Sequence, residues 1–165
     1  MAENGRSLLA IYLNDHLAGS AGAIELVRRA ARQYGGSDLG SFYTELEMEI
    51  EQDRDTLEQI MARNGIEPDR VKLAMAWGTE KAARLKFNGA LLRRSPLTPF
   101  VELELLAVGI HGKLLLWKAL QAQPPDPDTE AQLDTLIERA QRQHDKVAQR
   151  RLDAAREALT AAPEP

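Results

Sequence analysis

A chain of 165 residues suits one folded domain, which at this length buries about two-thirds of the surface that its unfolded form exposes. It contains no cysteine, which excludes disulfides, thiolate zinc sites and cysteine nucleophiles and is consistent with a cytoplasmic protein. A net charge of -4 excludes the overall basic charge typical of nucleic-acid binding, so we expect no nucleic-acid partner. The N-terminal residues lack the pattern of a signal peptide, which argues against export.

The first two predicted helices form a hairpin. Helix one spans about Ser7 to Tyr34 and ends at Gly35-Gly36, and helix two spans about Leu39 to Asn64 and ends at Gly65. The short glycine-rich turn predicts antiparallel neighbours. The inward row of helix one is predicted as Leu9, Leu13, His16, Ser20, Ala23, Ile24, Val27, Ala31 and Tyr34. That of helix two is predicted as Leu39, Phe42, Leu46, Ile50, Asp53, Leu57 and Ile60.

A shorter helix opens at Glu67-Pro68-Asp69 and runs to about Lys86, and an extended connector leads from Ala90 to Thr98. The segment that follows, Leu97 to Leu120, is apolar on nearly every side. Its first apolar face holds Val101, Leu105, Val108, Leu115 and Ala119, and its second holds Leu103, Leu106, Ile110, Leu114 and Trp117. Narrow polar seams divide the faces, one of them formed by Glu104, His111 and Lys118.

Charges within this segment argue for the central helix of a bundle and against a transmembrane segment. We therefore expect the rest of the protein to cover the helix on all sides. Ser95 or Thr98 is the predicted N-cap.

The last long helix begins with Asp126 as cap and Pro127 at its first position, and it ends near Leu159. Its inward row is predicted as Leu133, Leu136, Ile137, Ala140, His144, Val147, Arg151, Ala154 and Ala155. The chain thus predicts an all-α protein, with a flexible N-terminus at 1–6, a single helical-bundle domain at 7–159 and a disordered tail at 160–165.

Three histidines fall on or beside the apolar rows of three different long helices, and two carboxylates lie on comparable faces. His16, His111 and His144, with Asp53 and Glu104, could ligate a transition metal in a bundle core. The alternative is that each histidine is half-buried and donates to a carboxylate or carbonyl. Counting from the turns places Asp53 nearer Ser20 than His16, and His144 nearer Leu106 than His111, which spreads the candidates along the bundle.

Charge is uneven in the middle of the chain. Residues 40–64 hold seven acids against Arg54 and Arg63, and residues 66–95 hold seven bases against three acids. We interpret these neighbouring segments as attracting each other, with Glu80 in a buried ion pair. An anion-binding or partner-binding surface is the alternative, formed by Arg84, Lys86, Arg93 and Arg94.

Two hairpins joined by a long crossover resemble the ferritin-like superfamily. More narrowly, three stretches resemble an uncharacterised bacterial family of helical-bundle proteins of that type: Tyr12 to Leu26, Glu80 to Gly89, and Ser95-Pro-Leu followed by Glu102-Leu-Glu. The resemblance implies a ferritin-like four-helix bundle with an additional short helix in the crossover connection.

The di-iron members of that superfamily use Glu-x-x-His motifs, which are missing here. The residues three before the histidines are Leu13, Val108 and Gln141. We therefore expect no catalytic residue, no cofactor and no iron oxidation or storage.

The sequence favours a non-catalytic bundle that acts as a binding or protein-interaction module. Its expected partner is another protein, or a second copy bound as a dimer through the small residues Ala18, Gly19, Ala21 and Gly22 of helix one. The alternative is a divergent metal-binding bundle that uses the inward histidines and carboxylates.

Overall fold

A computed structural model describes residues 2–70, 95, 97–123 and 127–160. Within these residues the protein is all-helical, without strands, which confirms the predicted all-α class. The four helices are α1 (Ala2–Gln33), α2 (Asp38–Arg63), α3 (Leu97–Gln121) and α4 (Pro127–Thr160). They belong to two compact units, Met1–Ala83 and Arg84–Pro165, each containing one helical hairpin.

The first unit turns sharply between α1 and α2. Gly36 has a φ of 80°, in the left-handed region that glycine adopts without strain, so the predicted glycine stop is confirmed. Ser37 caps α2, because its hydroxyl oxygen accepts the N–H of Gly40 at 3.1 Å. A Cβ on Gly40 would overlap the carbonyl group of Tyr34, so this close turn requires glycine there as well.

Apolar side chains from both helices fill the α1–α2 core. The buried members are Leu13, Leu17, Ile24, Val27, Ala30, Tyr43, Leu46, Ile50, Leu57, Ile60 and Met61. Most of the α2 row follows the prediction, including Asp53, which is 2% exposed. On α1 the buried row includes Leu17 and Ala30 where the pattern had favoured His16 and Ala31, one residue around the helix. Ser20, also predicted to face inward, is half-buried and donates to the carbonyl of Leu17 at 2.6 Å.

The segment after α2 folds back onto α1. Gly65 has a φ of 67° and ends the helix where predicted. Beyond it, the buried Asn14 side chain donates to the carbonyl of Glu67 at 3.2 Å and accepts the N–H of Asp69 at 2.6 Å. This clamp ties the segment after α2 to the N-terminal half of α1.

The second unit is an antiparallel hairpin of α3 and α4. Gln121 donates to Asp134 at 2.6 Å near the turn, and Arg151 donates to Glu104 at 3.2 Å toward the far end. The predicted cap of α3 is confirmed at Ser95, whose hydroxyl accepts the N–H of Leu97 at 3.2 Å.

α1 begins at Ala2, earlier than the predicted start near Ser7. One glycine, Gly5, is the weakest helix former before Ser7, and a single glycine costs only about 1 kcal/mol. The predicted crossover helix beyond Arg70 and the tail after Thr160 lie outside the described residues. Among the described residues, no helix combines the length and the hydrophobicity that a membrane crossing requires.

Candidate functional site

α3 has two apolar rows with different surroundings. The inner row, Leu103, Leu106, Ile110, Leu114 and Trp117, is buried. We call the other the outer row; it comprises Val101, Leu105, Val108, Gly112, Leu115 and Ala119. Within it Leu105 is 59%, Val108 69% and Leu115 51% exposed. A large apolar surface that stays open on a folded helix is typical of an interaction site.

The expectation that α3 is covered on all sides is therefore not met among the described residues. α4 packs against α3 and the inner row is buried, and Glu102 and Leu116 on one flank are buried as well, whereas the outer row stays exposed. Sequence periodicity identified both rows correctly but gave no means of distinguishing the covered row from the open one.

Successive members of the outer row are separated alternately by four and three residues. This is the heptad spacing with which one α-helix packs lengthwise against another. Gly109 and Gly112 lie on or beside the row, and a Cβ built on either would contact no neighbouring atom within 4 Å. The surface thus offers both apolar projections and an open hollow at its middle.

One edge of the outer row carries Glu104, His111 and Lys118, seven residues apart. The Glu104 side chain is 53% exposed even though one of its oxygens accepts from Arg151. Lys118 is exposed, near the C-terminal end of the same edge. The edge is therefore acidic at one end and basic at the other, with a histidine between them.

The structure brings together two of the five predicted metal ligands. The rings of His111 and His144 have centroids 5.6 Å apart, which contradicts the count that had placed His144 nearer Leu106. That prediction counted equal numbers of residues on either side of the turn. In the structure, the contacts between α3 and α4 determine which residues of the two helices lie level with each other. Glu104 lies on α3 about two turns from His111 and is paired with Arg151.

The other two predicted ligands, His16 and Asp53, belong to the first unit. Arg28 on α1 donates to Glu47 and Glu51 on α2, each at 2.7 Å, and so fixes the register of this hairpin. Asp53 follows Glu51 by two residues and hence lies nearer to Arg28 than to His16 along the pair of helices. Within the described ranges, no group of three or more histidine or acidic side chains is placed to hold a metal ion.

The predicted anion surface, Arg84, Lys86, Arg93 and Arg94, lies outside the described residues, as does Glu80. Pairing of the acidic α2 with that basic segment stays a prediction. Part of the acidic charge of α2 has a different partner, because Arg28 pairs with Glu47 and Glu51. The hydrogen bond to Glu47 raises the pKa of Arg28 further above its ordinary value. The sequence pattern had placed Arg28 toward solvent.

A shallow pocket in the first unit is lined by Leu9, Arg63, Asn64, Gly65 and Ile66. It contains none of the predicted site residues. The outer row of α3 is therefore the candidate functional site with the most developed surface.

Comparison with models of known protein families, with curated proteins and with solved structures finds no match for this chain. The ferritin-like resemblance consequently stays a prediction. In the part of the chain that the structure describes, fold and geometry define two antiparallel helical hairpins, one of which presents an open apolar row with heptad spacing.

Proposed function

We propose that this protein is a non-catalytic interaction module that binds a helical protein partner through the outer row of α3. The observation that carries the proposal is the exposure of Leu105, Val108 and Leu115 at heptad spacing. Burying these three side chains against a partner removes apolar surface from water at about 25 cal/mol per Å², which supplies the driving force.

A helical protein fits this surface better than a lipid bilayer does. Helices that lie on membranes combine their apolar face with a face rich in lysine and arginine. The edge of the outer row instead carries Glu104 as well as Lys118, and the chain has a net charge of -4. A row without an enclosed cavity also offers little to a small molecule.

The lack of Glu-x-x-His, the motif that di-iron members of the ferritin-like superfamily use, supports a non-catalytic role. The absence of cysteine supports a cytoplasmic location. The competing proposal is a ferritin-like four-helix bundle. In such a bundle, other helices of the same chain would bury the outer row.

Thiol labelling tests the proposal. Since the chain has no cysteine, Val108→Cys supplies its sole thiol, and Ala131→Cys, at an exposed position of α4, is the matched control. In cells that produce the protein from its own locus, we expect a maleimide to label Val108→Cys at least about tenfold more slowly than Ala131→Cys. Equal labelling of the two variants in those cells would exclude a bound partner.

The adjacency of His111 and His144 favours a second candidate function, the binding of one transition-metal ion such as Zn²⁺ or Ni²⁺. Calorimetric titration should then show one site per chain that His111→Ala and His144→Ala each remove. His16→Ala, in the other unit, is the control and should bind as the wild type does. Equal binding by all four proteins would show that these two imidazoles are not the ligands.

A further inference from the structure

We infer that the helical partner of the outer row is a second copy of this chain, bound with its α3 antiparallel to the first. This inference rests on the proposed function and names its partner. It follows from three properties of the outer row: the order of its large and small residues, the order of its charges, and its length.

The large and small side chains are self-complementary in the antiparallel direction. When two α3 helices run antiparallel and cross level with Ile110, the heptad spacing places Leu105 opposite Leu115 of the second copy. The same register places Val108 opposite Gly112 of the second copy. Because Gly112 is open to solvent in the single chain, it leaves room for the Val108 side chain.

The ends of the row follow the same rule, since Val101 faces Ala119 of the second copy. A parallel pair would instead place Gly112 against Gly112 and Ala119 against Ala119. Those layers would leave voids, and close-packed interfaces exclude voids. Shape therefore selects the antiparallel pair.

The charged edge is also self-complementary. Glu104 precedes Leu105 directly, and Lys118 follows Leu115 by three residues. In the antiparallel pair these positions flank one layer, so Glu104 of each copy faces Lys118 of the other. The exposed half of the Glu104 side chain is free for this pairing while Arg151 holds one oxygen. A parallel pair would form no such opposite-charge contact.

Length gives the third argument. Outside α3, the exposed large apolar side chains of the described residues are Leu8, Ile11, Tyr12, Met48, Leu152 and Leu159. They form no row of comparable length. Among the described surfaces, the one whose length best matches the outer row is therefore the outer row of a second copy.

Association is tested by sedimentation equilibrium of the purified full chain. We expect a mass of twice the 18.3 kDa of one chain. Leu105→Glu combined with Leu115→Glu should weaken dimerisation at least ~100-fold, since it would bury four carboxylates in the interface. The control is Leu152→Glu, an exposed leucine of α4, which should leave the dimer unchanged. Circular dichroism should show all three proteins equally helical.

Orientation is tested with a short bis-maleimide cross-linker. A mixture of Leu105→Cys and Leu115→Cys chains should cross-link, and each variant alone should not, because position 105 faces position 115 of the other copy. Cross-linking of each variant alone would establish a parallel pair and overturn the inference. As a charge test, Lys118→Glu should weaken the dimer, because it places a carboxylate opposite Glu104 of the other copy while the pair of Glu104 with Arg151 stays intact.

Failure of this inference differs from failure of the proposed function. A monomer in which Val108→Cys is labelled freely when purified but is protected in cells would replace the second copy by a different protein. A monomer in which Val108→Cys is already protected when purified would show that the same chain covers the row. Either result overturns self-association, and the second also overturns the proposed function.

Discussion

His16 illustrates how a single side chain of α1 links burial to pH. Its ring meets the ring of Tyr12 edge-on at a centroid distance of 4.7 Å, and it is half-buried. Burial lowers the pKa of His16 below its ordinary value of 6.5, and the neighbouring Asp15 offsets part of that shift. The folded protein therefore binds a proton at His16 less readily than the unfolded chain does.

The free energy of unfolding should consequently depend on pH. Well above pH 6.5 His16 is neutral in both states and contributes no dependence. As the pH falls from 6.5 toward the lower folded pKa, the unfolded chain takes up the proton first, so stability decreases. Urea unfolding of the wild type and of His16→Gln should show this loss in the wild type and a smaller one in the variant. Parallel pH profiles would contradict it.

Residue-scale prediction from sequence succeeded where one helix decides the outcome. Asp53 was placed inward by the period of α2, and it is buried. It made no prediction for Asn14, which is 8% exposed and whose partners are backbone groups of Glu67 and Asp69. The sequence pattern of α1 contains no information about a segment more than fifty residues away.

At the scale of the element, α3 shows what periodicity can and cannot determine. Its helical start at Leu97 after Ser95 and its two apolar rows were predictable from the order of its residues. Which row is buried depends on the side of α3 against which α4 packs. Both rows are apolar, so composition alone does not decide between them. The three-dimensional pairing of α3 with α4 selects the inner row.

A charge placed on the inner row should unfold the second unit. Leu106 is 2% exposed, and Leu106→Asp would leave an unpaired carboxylate in the core, at a cost of roughly 3–5 kcal/mol. Leu152 is 46% exposed, so Leu152→Asp should change stability by less than about 0.5 kcal/mol. Thermal melts followed by circular dichroism compare the two variants. An unchanged melting temperature for Leu106→Asp would refute the inner row as core.

At the scale of the whole molecule, the charge pattern still predicts internal neutralisation. Acidic α2 meets Arg28 of α1 through Glu47 and Glu51, and the following basic segment is predicted to pair with the remaining acids. Exposed ion pairs contribute only ~0–1 kcal/mol each and are screened by salt.

Internal pairing predicts that the wild type passes through a heparin column at low salt. Replacing Arg93 and Arg94 with alanine should then change stability only slightly and leave elution unaltered. Strong retention of the wild type that this double variant removes would assign the basic segment to an anionic partner instead. Arg142→Ala, which removes an exposed arginine of α4, is the control for non-specific ionic binding to the column.

The Asn14 clamp has a consequence for the order of events in folding. Arg28 and Glu47 are 19 residues apart, so closing the hairpin at that point requires a short loop, whereas Asn14 and Asp69 are 55 residues apart. Because long loops cost more entropy to close, the clamp should form after the transition state. Asn14→Ala should therefore accelerate unfolding roughly tenfold and leave the refolding rate unchanged, as stopped-flow chevron plots can measure. Slower refolding with unaltered unfolding would place Asn14 in the folding nucleus. If the clamp does close last, it sets how long the first unit stays folded, and the hairpin beneath it sets how fast that unit folds.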